Sequence, residues 1–296
     1  MARGRAARDL GLTLSMVSVT AVWGWTFLVV RDAVAVYGVL GFLALRFALA
    51  TVALAPLSLR RMNRRTLRTG LVIGLVLGVA YLFQTLGLRY TTATNSGIVT
   101  GLFLVFVPFF DRMLYGVRVR RILWLAVATS LVGMTLLVGQ SPRELRTGDA
   151  LTVVAAATYG LHISLLSRHA REHDPGALAM AQMLAVCVGA AVAWPIFETV
   201  ELPSASVWGA IAITGLLASA LAFYVQTFVQ RRLSALRAGI IIAAEPLFAA
   251  LFGYALAGDR LTGIQLIGVA LLMSAIVLSE VVPLYLAARK GDKSGV

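Results

Sequence analysis

Residues 234–258 have the sequence SALRAGIIIAAEPLFAALFGYALAG, an apolar stretch that is long enough to cross a bilayer as a helix. It nevertheless carries a carboxylate, Glu245, which is followed directly by Pro246. A charged side chain near the centre of a bilayer costs about 2.5–3.5 kcal/mol on insertion scales, so Glu245 needs a partner, a water-filled cavity or a bound proton. Because the proline removes a helical hydrogen bond at the same point, this stretch is a candidate functional segment.

The rest of the chain is similarly apolar. Of its 296 residues, 59% are hydrophobic and 13% are charged, whereas soluble domains have about 25% charged residues. Apolar windows of about 20 residues recur along almost the whole sequence, which predicts membrane-spanning helices and excludes the alternating strands of a β-barrel. A single cysteine, Cys187, excludes an intramolecular disulfide and a thiolate metal site.

We predict ten transmembrane helices. The first helix is expected to be retained rather than cleaved as a signal peptide, because it ends in Val-Val-Arg-Asp instead of small residues. The predicted spans are residues 10–30, 38–58, 69–89, 95–115, 121–139, 148–168, 177–196, 205–229, 236–257 and 262–284.

The basic residues at the ends of the spans and between them predict the orientation of the chain. Twenty lie on the segments that share a side with the N-terminus, and five lie on the opposite segments. Positive charge concentrates on the cytoplasmic side of membrane proteins. We therefore expect a multi-pass protein of the cytoplasmic (inner) membrane, with both termini in the cytoplasm. The net charge of +13 then faces anionic lipid headgroups rather than nucleic acid.

The sequence contains an internal repeat. Residues 92–138 align without a gap on residues 234–280 at a shift of 142. A shift of 136 also aligns Gly24 with Gly160 and Trp23 with Tyr159. The identities at the first shift include Ala93/Ala235, Gly97/Gly239, Ile98/Ile240, Phe106/Phe248, Gly116/Gly258, Arg118/Arg260 and Ala128/Ala270.

The repeat predicts the fold. We expect an all-α polytopic membrane protein whose ten helices form two five-helix repeats, residues 1–145 and 146–296. Because five is odd, the second repeat enters the membrane from the opposite side. Such inverted repeats are common in secondary transporters, in which the exchange of the two halves' conformations moves a midplane site from one membrane face to the other.

Several short motifs resemble those of a known family. They are Trp23-Gly24-Trp25, Leu45-Arg46-Phe47, Tyr90-Thr-Thr-Ala-Thr-Asn95-Ser-Gly97, Glu245-Pro246 and Gly258-Asp259-Arg260-Leu261. In this order, over residues 10–282, they resemble the drug/metabolite transporter (DMT) superfamily and, within it, the ten-helix EamA-type permeases. The resemblance implies an inverted-repeat carrier that exports amino acids or related metabolites. The sequence departs from the family pattern at Val117-Arg118, where an acidic residue is usual, and at Asp259, where Glu is usual.

Polar side chains inside the predicted spans are the candidates for substrate binding or coupling. Arg46 would favour a carboxylate on the substrate, and Glu245 would favour an amine, a cation or a proton. His162, the only histidine inside a span, would suit a proton relay. The structural alternatives are a buried Arg46–Glu245 pair, bonds to backbone carbonyls freed by Pro246, and a simply hydrogen-bonded histidine. The other candidates are Trp23, Trp25, Tyr81, Gln84, Tyr159, Tyr224 and Gln265, and Gln182 and Gln226 are further polar residues inside spans.

Small residues and prolines predict how the helices pack. We interpret the small-xxx-small faces at Gly70, Gly74 and Gly78 and at Gly97 and Gly101 as helix packing surfaces. Pro108 and Pro246 are expected to kink the fourth and ninth helices. The kinks should lie at different depths, because Pro246 aligns with Leu104 in the repeat.

We therefore predict a secondary transporter, an exporter that works by alternating access around a midplane cavity. The alternatives are a carrier of sugar-like or nucleotide-linked solutes and, in a different class, a non-transport intramembrane enzyme or sensor. We expect no enzymatic activity, cofactor or metal. His169-x-x-Glu172-His173 matches a zinc motif, but Asp174-Pro175 follows at once, which favours a solvated loop. The expected partners are a small-molecule substrate, the bilayer and, as a candidate coupling ion, protons; the protein is expected to be a monomer or homodimer.

Overall fold

The structure is a computed structural model that describes residues 2–88, 90, 99–138, 147–256 and 261–291. The regular secondary structure of these residues is helical. Two short 3₁₀ turns, Leu59–Arg61 and Ala170–Glu172, follow the second and sixth helices. The helices are α1 (Ala2–Val36), α2 (Val39–Ser58), α3 (Arg64–Leu88), α4 (Phe103–Tyr115), α5 (Arg121–Val138), α6 (Thr147–His169), α7 (Pro175–Phe197), α8 (Ala205–Gln230), α9a (Ala235–Ile242), α9b (Glu245–Leu256) and α10 (Gly263–Gly291).

Within the described residues, seven helical segments are long and apolar enough to cross a membrane. They lie in α1, α2, α3, α6, α7, α8 and the α9a–α9b pair. Shorter apolar helices cover Arg121–Leu137 in α5 and Gly263–Ser279 in α10. The prediction of an all-α polytopic membrane protein is confirmed, whereas the count of ten spans stays a prediction.

The helices of the two sequence halves pack against each other in equivalent ways. α2 packs along α7, and α5 packs along α10, so equivalent helices meet in pairs. Three further contacts match when the halves are exchanged: α3–α6 corresponds to α1–α8, α4–α6 to the contact of α1 with α9a and α9b, and α3–α7 to α2–α8. These main helix contacts are therefore shared by the two halves. Their inversion across the membrane stays a prediction.

Glycines bring two of these helix pairs together. A Cβ at Gly74 of α3 would lie 2.6 Å from the backbone of Gln182 in α7, and one at Gly70 would collide with Ala181. On the α5–α10 pair, a Cβ at Gly133 would lie 2.9 Å from the carbonyl oxygen of Gly268. Only hydrogen fits at these contacts, so the glycines allow close backbone approach.

The other glycines that were predicted to pack helices differ in burial and in how closely they contact a neighbour. Gly78 is half-buried, and a Cβ there would make ordinary contact with Val186 at 3.8 Å. Gly101 is buried, whereas Gly97 lies outside the described residues, as do motif residues 91–96 and 258–260.

The backbones of the fourth and ninth helical regions break at equivalent positions. A turn at residues 101–102 precedes α4, and a turn at residues 243–244 separates α9a from α9b, which is the same place at the 142-residue shift. The flanking hydrogen bonds also match: Leu102 N to Val99 O and Ala244 N to Ile241 O are both 3.1 Å, and Phe106 N to Leu102 O and Phe248 N to Ala244 O are both 3.3 Å.

This geometry corrects the prediction that the two helices break at different depths. α4 continues as a helix through Pro108. Pro246 is the second residue of α9b, where a helix needs no hydrogen bond from its N–H group. The prediction located the breaks from the prolines alone. A helix can also break without a proline, as the backbone does before α4.

Candidate functional site

A cavity of about 130 Å³ lies between helices of both halves. Seven of the ten residues predicted to bind or couple a substrate line it. They come from α1, α2, α3, α6 and α9b, which are distant in sequence and meet only in the folded chain. These residues are Trp23, Arg46, Tyr81, Gln84, Tyr159, His162 and Glu245.

Three predicted residues lie elsewhere. Trp25 is half-buried on α1 but is not part of the cavity wall. Tyr224 lies near Gly176 at the start of α7. Gln265 accepts from the backbone N–H of Thr262 and donates to the carbonyl of Leu137 on α5.

The Gln265 contacts have a local cause. Thr262 and Gln265 have the spacing of a capping box, and the threonine hydroxyl accepts from the Gln265 N–H at 3.3 Å in return. Hydropathy placed this glutamine inside a span, but the structure uses it to cap α10 and to join α10 to α5. Gln265 thus joins two helices and does not line the cavity, so the cavity gives no support to its candidate role in substrate binding.

Sequence reasoning missed much of the cavity wall, although the internal repeat held a usable signal. The 142-residue shift relates Tyr81 to Phe223 and Phe103 to Glu245, and each of these four residues lines the cavity. Tyr81 and Glu245 thus point to lining residues at equivalent positions in the other half. Three further pairs of equivalent residues line the cavity: Gln84/Gln226, Thr100/Ile242 and, at the 136-residue shift, Thr26/His162.

Arg46 provides a positive group in the cavity wall. The residue is 3% exposed, and its Nε donates to the hydroxyl of Ser219 on α8 at 2.7 Å. Its guanidinium carbon lies 5.4 Å from the ring centroid of Tyr81, within the range of a cation–π contact. These contacts hold the cation at the cavity although it lies inside a membrane-spanning helix.

Glu245 provides a carboxyl group on the same cavity. It is the first residue of α9b, and the positive end of the helix dipole stabilises a carboxylate in the first turn. The ion pairs among the described residues are Arg31–Asp32, Arg61–Asp174 and Arg65–Glu172. Arg46 and Glu245 therefore share a cavity without forming a direct salt bridge, unlike the buried pair that the sequence left open.

Neutral polar side chains form two hydrogen-bonded groups at the cavity. Tyr159 donates to Gln84 Oε1 at 2.8 Å, and Gln84 Nε2 donates to Thr100 at 3.3 Å. His162 Nε2 lies 2.9 Å from the Oε1 atom of Gln182, which corresponds to Arg46 at the 136-residue shift. Arg46 thus lines the cavity, whereas the equivalent amide of Gln182 is fully buried and contacts the cavity residue His162 without lining the cavity itself.

The residues of the zinc-like motif contact other parts of the chain. Glu172 forms an ion pair with Arg65, and His173 Nδ1 lies 2.9 Å from the hydroxyl of Thr66. Burial lowers the pKa of His173, and the neighbouring Arg65 lowers it further. Among the described residues, no three side chains of His, Cys, Asp or Glu are grouped to hold a metal ion. These contacts connect the start of α3 with the segment between α6 and α7.

Known proteins are similar to this chain along most of its length. An uncharacterized transporter of Archaeoglobus fulgidus is 30% identical over 253 residues, which cover 85% of this chain and 79% of that protein. A protein of known crystal structure has a TM-score of 0.79 and 20% identity, over 92% of this chain and 98% of its own. The second likeness concerns the fold alone.

A family model also matches this chain, and it matches twice. The model describes the EamA-like transporter family, and the matches cover residues 10–139 and 146–280. The matched residues include every helix that contributes Trp23, Arg46, His162 or Glu245 to the cavity. This chain therefore belongs to the EamA-like transporter family.

Proposed function

We propose that the protein is a secondary carrier that exports amino acids or related small metabolites. The observation that carries this proposal is the cavity, in which Arg46 and Glu245 occupy separate places on a wall that is otherwise formed by aromatic and aliphatic side chains and by uncharged polar groups. A free amino acid has a carboxylate for the arginine and an ammonium group for the glutamate. The rings of Trp23, Tyr81 and Phe223 would contact an apolar side chain.

Transport would proceed by alternating access of two inverted repeats. Three observations support this: the two matches of the family model, the equivalent helix contacts of the two halves, and the equivalent breaks before α4 and α9b. Broken helices beside a midplane site are a recurrent element of carriers with inverted repeats. The exchange of the two halves' conformations would open the cavity to one membrane face and then to the other.

The proposed setting is the cytoplasmic membrane, with both termini in the cytoplasm. The support is the distribution of basic residues, 20 against 5 on alternate segments. The arginines that flank the start of α3, including Arg61 and Arg65, would then lie on the cytoplasmic side.

Flux through reconstituted liposomes tests the proposal. Purified protein would be incorporated into liposomes that are loaded in turn with each radiolabelled amino acid, and the initial efflux would be measured with and without a pH gradient. We expect saturable efflux of at least one amino acid, and a dependence on the gradient would identify protons as the coupling ion. Protein-free liposomes give the background. Monodisperse protein that moves none of the amino acids would overturn the proposed substrate class.

A further inference from the structure

The middle of α8 differs from its counterpart in the first half. Residues Thr214–Leu221 form a π-helix, whereas α3 is α-helical throughout Arg64–Leu88. A π-helix hydrogen-bonds each N–H to a carbonyl five residues back, and such insertions occur frequently at functional sites. This segment lies against α2, because a Cβ at Gly215 would be 3.1 Å from the carbonyl oxygen of Arg46.

Two adjacent residues of the π-helix hold cavity side chains. The carbonyl of Ala218 accepts from Trp23 Nε1 at 2.8 Å, and the hydroxyl of Ser219 accepts from Arg46 Nε at 2.7 Å. Ser219 is fully buried and is not part of the cavity wall itself. It contacts the cavity only through the arginine.

We propose that Ser219 is a positioning residue that orients the Arg46 guanidinium toward the carboxylate of the substrate. This inference rests on the proposed function. Ser219 occupies the Nε donor, so contact with a carboxylate falls to the two terminal nitrogens, which can donate two parallel hydrogen bonds. An arginine side chain has several rotatable bonds, so a hydrogen bond that fixes Nε restricts the direction in which the two terminal nitrogens point.

The other half lacks this arrangement. At the 142-residue shift the counterpart of Ser219 is Leu77, and at the 136-residue shift the counterpart of Arg46 is Gln182. The positioned cation therefore belongs to the α2–α8 side, and the carboxylate of the substrate should bind there.

Three ligands with one apolar body test the role of Ser219. Phenylalanine has both charged groups, 3-phenylpropanoate has only the carboxylate, and phenethylamine has only the ammonium. Binding to the purified full-length protein would be measured by isothermal titration calorimetry, which avoids passive leakage of the amine through bilayers. We expect Ser219→Ala to weaken binding of phenylalanine and 3-phenylpropanoate by about tenfold. Binding of phenethylamine should stay within twofold of wild type, as a rough limit.

Two further variants separate positioning from a structural effect. Ser219→Thr keeps the hydroxyl and should restore most of the carboxylate affinity. Ser164→Ala is the matched control, because Ser164 is also a buried serine with a hydrogen bond, to the carbonyl of Val107, and lies outside the cavity wall. We expect it to bind all three ligands like wild type.

The outcomes distinguish this inference from the proposed function. Equal weakening of all three ligands by Ser219→Ala, or no weakening of any, would overturn the positioning role while leaving transport intact. A wild-type protein that binds phenethylamine but neither carboxylate would also overturn it. Absence of amino-acid efflux from liposomes that contain the wild-type protein would instead overturn the proposed function.

A ligand-free measurement provides an independent test. The Nε–H signal of Arg46, identified by its absence in Arg46→Lys, can be followed by ¹⁵N NMR of arginine-labelled protein. We expect slow hydrogen exchange in the wild type and in Ser219→Thr, and fast exchange in Ser219→Ala. Equal exchange rates in the wild type and Ser219→Ala would refute the hydrogen bond on which the inference rests.

Discussion

The first N–H groups of α2 and of α7 lie at equivalent positions, and each set is hydrogen-bonded by a carboxylate from a different part of the chain. At α7, Asp174 caps its own helix, and its Oδ1 atom accepts from the N–H groups of Gly176 and Ala177, both at 3.1 Å. The equivalent amides of α2 belong to Leu40 and Gly41, and they donate to Glu198, which follows α7. One cap is thus local, and the other comes from the opposite half.

A glycine makes the distant cap possible. Gly38 stands where α7 has Asp174, and a Cβ at Gly38 would collide with the Glu198 carboxylate. Both helices need an acceptor for their first N–H groups, since these have no partner within the helix. Both halves therefore need acceptors for the same backbone N–H groups, but each half uses a different side chain as the acceptor.

The same difference appears at the cavity. Phe103 and Glu245 begin equivalent half-helices, so the shared backbone does not require a carboxylate there. Arg46 and Gln182 are equivalent as well. The backbone that the two halves share thus does not require the charged residues, and replacing them should affect transport more than folding.

The largest effect is expected from Glu245→Gln. This change removes the negative charge but keeps the shape of the side chain. We expect the initial efflux of amino acid from liposomes to fall at least about thirtyfold, because removing one partner of a buried charged contact costs about 2–5 kcal/mol. Phe103→Leu, at the equivalent position, keeps both charges and should reduce efflux far less. Equal losses in the two variants would contradict the asymmetry of the cavity.

A smaller effect is expected from Arg46→Gln, which gives α2 the residue that α7 has at the equivalent position. Hydrogen bonds to charged groups contribute about 1.5–3 kcal/mol, so we expect about tenfold weaker binding of 3-phenylpropanoate by calorimetry. Binding of phenethylamine should change little. If the amine lost affinity as strongly as the carboxylate, Arg46 would be a structural residue.

The two caps should have similar effects on stability despite their different origins. We expect Asp174→Ala and Glu198→Ala each to lower the free energy of unfolding by about 1 kcal/mol, the usual cost of a lost helix cap. Denaturant or thermal unfolding in detergent would measure this. Glu201→Ala is the control, because Tyr37 hydrogen-bonds the backbone carbonyl of Glu201 and not its side chain. A stability loss confined to Asp174→Ala would mean that the Glu198 contact does not stabilise α2.

The smallest expected effect is a pH dependence of stability that comes from His173, before α7, and not from the equivalent residue before α2. His173 corresponds to Tyr37, and both contact the opposite half. Burial lowers the pKa of His173, so the unfolded chain binds the proton more readily than the folded one. Stability should therefore be full above about pH 6.5 and fall as the pH drops through the folded pKa.

Replacing His173 should remove this dependence. We expect His173→Gln to have a flatter profile of melting temperature between about pH 6.5 and 5 than the wild type. Burial raises the pKa of Tyr37, so Tyr37→Phe should leave the shape of the profile in this range unchanged. A profile that Tyr37→Phe flattened as much as His173→Gln would show that another group titrates.

Much of the fold was predictable because its signals are local. Apolar windows identify spans within a few residues, since the bilayer requires a fixed length of apolar helix. The helices found at α2, α3 and α7 lie where hydropathy placed them. Three candidates chosen because they are polar residues inside spans, Arg46, His162 and Glu245, all line the cavity, and their roles stay predictions.

Errors arose where a residue's role depends on its neighbours. Gln265 and Tyr224 have the same polar character as Gln84, yet only Gln84 faces the cavity. The direction of a side chain follows from the rotation of its helix against the helices around it. Hydropathy contains no information about that rotation.

The membrane class, the segments that form helices, the repeat and the identity of the charged residues all follow from the amino-acid sequence alone. These depend on apolar length and on residue-by-residue correspondence, which are properties of the linear chain. Only the tertiary structure decided that α4 and α9 break at equivalent positions, that Glu198 caps α2 and that Ser219 holds Arg46. The last two features join groups from separate helices, and packing alone determines which groups meet.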